Sequence, residues 1–121
     1  MMGETELLEM SIDLKNWILQ LPGVIEASHR FGGTEFQVDG LEFMHSHGAL
    51  FLDIRLSKED QAMALKEDGV IPHRFAPQAG WVSFRIAKAN DVDAAKKIIQ
   101  LAYSNAKKTM EARRSRERNR S

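Results

Sequence analysis

The chain has 121 residues, 43% hydrophobic and 28% charged, the proportions of a folded domain with one core rather than of a disordered or fibrous chain. Its apolar runs last only a few residues, far short of the roughly 18 a membrane span needs, and the opening Met1-Met2-Gly3-Glu4 lacks the basic lead of a secretory signal. A cytoplasmic protein with no membrane partner is expected. The lack of cysteine excludes disulfides, thiolate metal sites and cysteine nucleophiles, leaving histidine, carboxylates, hydroxyls and arginine to carry any chemistry.

A formal charge of zero conceals an asymmetry. Residues 1–106 carry 10 basic and 15 acidic side chains, whereas 107–121 carry 7 basic and 2 acidic. The expected organisation is therefore one domain over 1–106 and a basic tail over 107–121, disordered or a fraying helical end. The tail has arginines for phosphate but no aromatic residue to stack a base, and the acidic body repels nucleic acid.

Leu7, Met10, Leu14, Trp17, Ile18 and Leu21 recur at helical spacing and predict a helix near 4–20, stopped by Pro22-Gly23. From Val24 the period drops to two, and strands begin. Gly32-Gly33, Asp39-Gly40 and Gly48-Ala49 each suit a two-residue hairpin turn. Ser57-Lys58-Glu59-Asp60 reads as the capped start of a second helix over 58–67, closed by Gly69. A connection through Pro72 and Pro77 leads to a strand with Val82, Phe84 and Ile86 buried. Asn90 or Asp91 then caps a third helix with Val92, Ala95, Ile99, Ala102, Tyr103 and Ala106 along its apolar stripe.

Three two-residue turns would pair Phe31 with Thr34, Val38 with Leu41 and His47 with Leu50. One face then gathers Ile25, Ala27, His29, Phe36, Val38, Phe43, His45, His47, Leu52 and Ile54, and is expected to be the core face. Met44, Phe51, Asp53 and Arg55 fall on the other, with Glu42 directly opposite Arg55 and with Met44 and Phe51 available for a homodimer contact. The fold class expected is α+β: an antiparallel meander of about five strands with two or three helices on the histidine-bearing face.

His45-Ser46-His47 is the sharpest local feature. On a strand these histidines point the same way, with Cα atoms roughly 6 to 7 Å apart, so both imidazoles can reach one ligand. His29 shares their predicted face at a sideways distance of roughly 10 Å, two strands away. No carboxylate falls on that face in the ladder, so a pocket is expected and a metal centre is not. A phosphate-cradling glycine loop, a serine elbow and HExxH are all absent.

His29-Arg30-Phe31-Gly32-Gly33-Thr34-Glu35-Phe36, Glu42-Phe43-Met44-His45-Ser46-His47, Pro72-His73 and Gly80-Trp81-Val82-Ser83-Phe84 occur in that order before the helix reaching Tyr103. The stretch resembles the luciferase-like domain family, bacterial proteins together with the fungal luciferases. The resemblance implies oxidation of a hydroxylated pyrone by molecular oxygen without a metal or organic cofactor. His45 and His47 match the family's His-x-His, and His73 matches a histidine before its Trp-containing strand, which implies catalytic roles for all three. The loop after His47 departs from the fungal pattern, and light emission is not implied.

The function expected is binding of a small acidic aromatic or enolic molecule and its cofactor-independent oxidation. His45, His47 and His73 would be catalytic, with His29, Arg30, Phe36, Arg74 and Trp81 as ligand-binding residues and Arg30 or Arg74 pairing the anion. The alternative is a nucleic-acid-binding or protein-interaction module acting through the basic tail.

Overall fold

The computed structural model describes residues 3–29, 32–48, 50–73 and 76–120. Helix α1 (Glu4–Leu19) leads into four strands, β1 (Val24–Ser28), β2 (Thr34–Val38), β3 (Leu41–His47) and β4 (Phe51–Arg55). Helix α2 (Lys58–Ala64), β5 (Val70–Pro72), a 3-10 turn (Pro77–Ala79), β6 (Trp81–Arg85) and α3 (Ala89–Arg120) complete the chain. The sheet is antiparallel throughout, in the order β1-β2-β3-β4-β6-β5. The architecture is α+β, as the sequence predicts, with β5 added at the edge. Three residues are too few to show a period, and Pro72 is tolerated because an edge strand can lack a ladder donor.

Several local signals act as expected. Asp39 and Gly40 both take positive φ, 54° and 87°, as a type I′ turn requires, and Val38 faces Leu41. The Ser57 side chain accepts a hydrogen bond from the Asp60 amide at 3.1 Å, so α2 starts where its cap predicts, although it ends at Ala64. The α3 helix continues through Arg120. Lys107 and Arg114 on it lie 3.8 and 2.6 Å from Asp39 Oδ2, tying its basic part to the β2–β3 turn. No described helix is long and apolar enough to cross a membrane.

The register of β3 differs from expectation, and its faces are exchanged. Gln37 pairs with Glu42, but Phe36 pairs with Met44, so Phe43 is an extra residue in a bulge. At the far end His47 faces Phe51, making the connection to β4 one residue longer than a two-residue turn. The two shifts cancel for β4, which keeps Leu52 and Ile54 inward, but they turn β3 over from Met44 onward. Both Phe43 and Met44 are thereby buried. Burying Met44 stabilises the fold by roughly 2 kcal/mol, and turning His45 out spares the core an imidazole that would need partners there.

The core therefore keeps the residues expected inward on β2, β4 and β6, and it is the histidine end of β3 that turns to the opposite face, away from the helices. Phe36, Phe43, Met44, Leu52, Ile54, Val82 and Phe84 pack with Leu14 and Ile18 of α1 and with Ile98, Ile99, Ala102 and Tyr103 of α3. His45 and His47 lie on the other face. Several further expectations are corrected. Met44 is fully buried rather than outward, Glu42 faces Gln37 rather than Arg55, and Ile25 is exposed because β1 pairs with β2 three positions out of the expected register. The Phe31 and Ala49 turn positions lie outside the described residues.

Candidate functional site

Cross-strand partners in an antiparallel sheet share a face. His45 on β3 faces Asp53 on β4, and Asp53 faces Ser83 on β6, so one row crosses the three central strands away from the core. Asp53 is the hub. Ser83 Oγ donates to its Oδ1 at 2.6 Å, while Nε2 of His45 and Nε2 of His47 each lie 2.9 Å from its Oδ2. His73 Nε2 is 3.4 Å from the same oxygen. Burial alone would push the Asp53 carboxyl up, but the hydrogen bonds from His45 and Ser83 and the charges of His45 and His73 hold it down to about 2. Asp53 is thus ionised and only accepts, so His45 and His47 donate to it.

Loop histidines join this row from both sides. His73 follows β5; its amide donates to the Trp81 carbonyl and its Nδ1 accepts from the Ala76 amide at 3.1 Å, leaving the proton on the nitrogen turned to Asp53. His29 follows β1 and stacks on His45, ring centroids 4.1 Å apart, far closer than the expected sideways spacing. Gly33 allows this approach. Its φ is +83°, and a Cβ there would lie 2.0 Å from the Ser46 carbonyl oxygen, so only glycine lets the loop, closed by the His29 amide on the Gly33 carbonyl, lie against β3. Trp81 walls the group, 5.1 Å from His45 and 5.9 Å from His73 between ring centroids.

Glu42 closes the far side. Its Oε2 is 3.5 Å from His29 Nε2 and 3.6 Å from His45 Nδ1. Burial works against a charge on His45, but the carboxylates of Asp53 and Glu42 outweigh it and raise its pKa to about 9. Glu42 also lines a cavity of about 290 Å³ together with Arg55, Lys58, Asn105 and Arg113.

Of the residues the sequence singles out, His29, His45, His47, His73 and Trp81 come together. Phe36 does not: it is buried in the helix-covered core on the opposite face and cannot line this site. Arg30 and Arg74 lie outside the described residues. The expectation that no carboxylate shares the histidine face is corrected by Asp53 and Glu42, which sequence reasoning missed together with Ser83. The signal of Asp53 and Ser83 was present in the alternation of β4 and β6, but the bulge at Phe43, beside Glu42, concealed which residues of β3 they meet.

Compared with known protein families, residues 40–102 match the luciferase domain. The match covers just over half the chain and takes in β3 to the middle of α3, including Glu42, His45, His47, Asp53, His73, Trp81 and Ser83. The chain belongs to the luciferase domain family. No curated protein matches it. Within this luciferase domain the matched segment carries the whole Asp53 hub, while His29 is contributed from outside it.

Proposed function

We propose that this luciferase domain binds a small acidic aromatic or enolic molecule on its histidine face and removes a proton from it, giving an enolate that dioxygen can oxidise. The observation that carries this reading is the convergence of His45, His47 and His73 on one ionised, buried carboxylate. A histidine that donates one ring N–H to an aspartate keeps the other nitrogen basic and has its ring fixed, the arrangement of a general base.

His47 is the base in this reading, because its side chain is 40% exposed whereas that of His45 is 8% exposed. Asp53 orients His47 and stabilises the imidazolium formed when it takes the proton. His73 and Trp81 flank the ligand.

Calorimetric titration with a panel of hydroxypyrones, enolic ketones and aromatic acids, together with dioxygen uptake, tests the reading. Binding by the parent chain with uptake abolished in His47→Gln is expected. Binding that persists with unchanged uptake in His47→Gln, or no binding by the parent, would overturn it.

A further inference from the structure

We propose that His29 Nε2, Glu42 Oε2 and His45 Nδ1 form a binding site for one divalent transition-metal ion, with zinc best matched to the donor set. The three atoms come from the loop after β1 and from two positions on β3, and all lie within 4.8 Å of one another. Glu42 Oε2 is 3.5 Å from His29 Nε2 and 3.6 Å from His45 Nδ1. These separations are long for hydrogen bonds. They are close to the roughly 3.3 Å that separates two ligand atoms on a tetrahedral ion with bonds of about 2.0 to 2.1 Å.

Two of the three donor atoms make no polar contact shorter than the 3.5 and 3.6 Å separations within the trio. Glu42 Oε2 and His45 Nδ1 are buried without a hydrogen-bond partner, and the His45 side chain is more than nine-tenths buried. Buried polar atoms are rarely left so, because each costs the desolvation of the group with no return. An ion between them would satisfy both.

The support behind His45 matches as well. Its Nε2–H is taken by Asp53 at 2.9 Å, so Nδ1, turned to Glu42, is the nitrogen that would give up its proton to an arriving ion. A carboxylate that holds the far N–H of a ligating histidine fixes its tautomer and raises its basicity as a ligand. Ser83 in turn holds Asp53. Two imidazoles and a carboxylate are a borderline donor set suited to zinc, and three protein ligands leave a fourth position open to water or to an oxygen of a ligand. A second trio, His45, Asp53 and His73, also has its donors within reach of one another. There His45 Nε2 and Asp53 Oδ2 already satisfy each other by a hydrogen bond, so the Glu42 side is favoured. Ion binding requires no substrate and does not rest on the reading of His47 as a base.

The test uses the full-length, untagged chain treated with chelator and then dialysed. Zinc chloride is titrated calorimetrically, and cobalt(II) is added separately as a chromophoric substitute. About one zinc ion per chain is expected, with the visible spectrum of a four-coordinate cobalt centre. Glu42→Gln and His29→Gln should each abolish stoichiometric binding, His73→Gln should retain it, and Asp53→Asn should weaken it roughly 10- to 100-fold. Circular dichroism confirms folding, and should Glu42→Gln fail to fold, His29→Gln carries the test. No stoichiometric binding by the parent would overturn the proposal. So would binding that survives Glu42→Gln and His29→Gln, and binding lost in His73→Gln but kept in those two would assign the ion to the other trio.

Discussion

His45 and Asp53 face each other across β3 and β4 with Nε2 and Oδ2 2.9 Å apart, and both side chains are more than nine-tenths buried. The Asp53 carboxylate holds His47 as well, at the same distance but at the solvent edge. One oxygen therefore anchors two histidines whose removal should have unequal costs.

His45→Phe takes from Asp53 its most buried cationic partner, leaving it Ser83 and the solvent-edge His47, and turns Glu42 to a hydrocarbon ring; breaking a buried pair from one side costs about 3 to 5 kcal/mol. His47→Phe leaves Asp53 with both His45 and Ser83 and should cost only about 1 kcal/mol. Denaturant midpoints compare the two. Equal losses would show that the hub does not distinguish its partners.

In the presence of chelator, stability should have a plateau with two flanks. The folded pKa of His45 is raised to about 9 from 6.5, so its contribution is fully present below pH 6.5 and disappears as pH rises through 9. Asp53 is lowered to about 2 from 3.8, so its contribution is present above pH 3.8 and disappears as pH falls through 2. Either flank should remove about 2 to 3 kcal/mol, and because both describe one ion pair the losses are not added. Urea denaturation across pH 2 to 10 reads them, and Asp53→Asn should flatten the alkaline flank.

Gly33→Ala should be far costlier than an exposed loop change. The new methyl would meet the Ser46 carbonyl and sit at positive φ, so a loss of about 1 to 3 kcal/mol is expected. The His29 ring should also leave His45, visible as a change in the His45 imidazole resonances. An unchanged spectrum would separate the glycine from the placement of His29.

Deleting 107–121 removes the contacts of Lys107 and Arg114 with Asp39. Partly exposed ion pairs contribute little, so the melting temperature should fall by only a few degrees, roughly 1 kcal/mol or less. Any affinity for duplex DNA should disappear with the deletion and, in the intact chain, fall steeply with salt. A cooperative unfolding lost altogether would show that the far end of α3 is needed by the core.

The helices and the Asp39-Gly40 turn were legible because each has a local chemical cause: an apolar stripe, a serine cap, two positions of positive φ. Leu52, Ile54, Val82 and Phe84 were also assigned inward correctly, since alternation within a strand is local. What the sequence did not disclose was the phase of β3. Phe43 and Met44 are both apolar and adjacent, so alternation alone permits either to lead inward, and the bulge that buries both is set by packing against β2 and α3. That single ambiguity sent the histidines to the wrong face and separated them from Asp53. His29 and His73 stand beside the hub for tertiary reasons, a glycine contact and a strand-edge amide, that no spacing reports.

Along each central strand the residues of the hub alternate with residues of the core: Asp53 lies between Leu52 and Ile54, Ser83 between Val82 and Phe84, and His45 follows Met44. The entropy of fixing those backbones is therefore already spent in folding, and a ligand or ion arriving at the row does not pay it again. His29 and His73 have no such backing, being held by loops. Binding should accordingly leave amide exchange in β3, β4 and β6 unchanged and slow it at His29 and His73, making the two loop histidines the thermodynamic reporters of occupancy and the strands its silent frame.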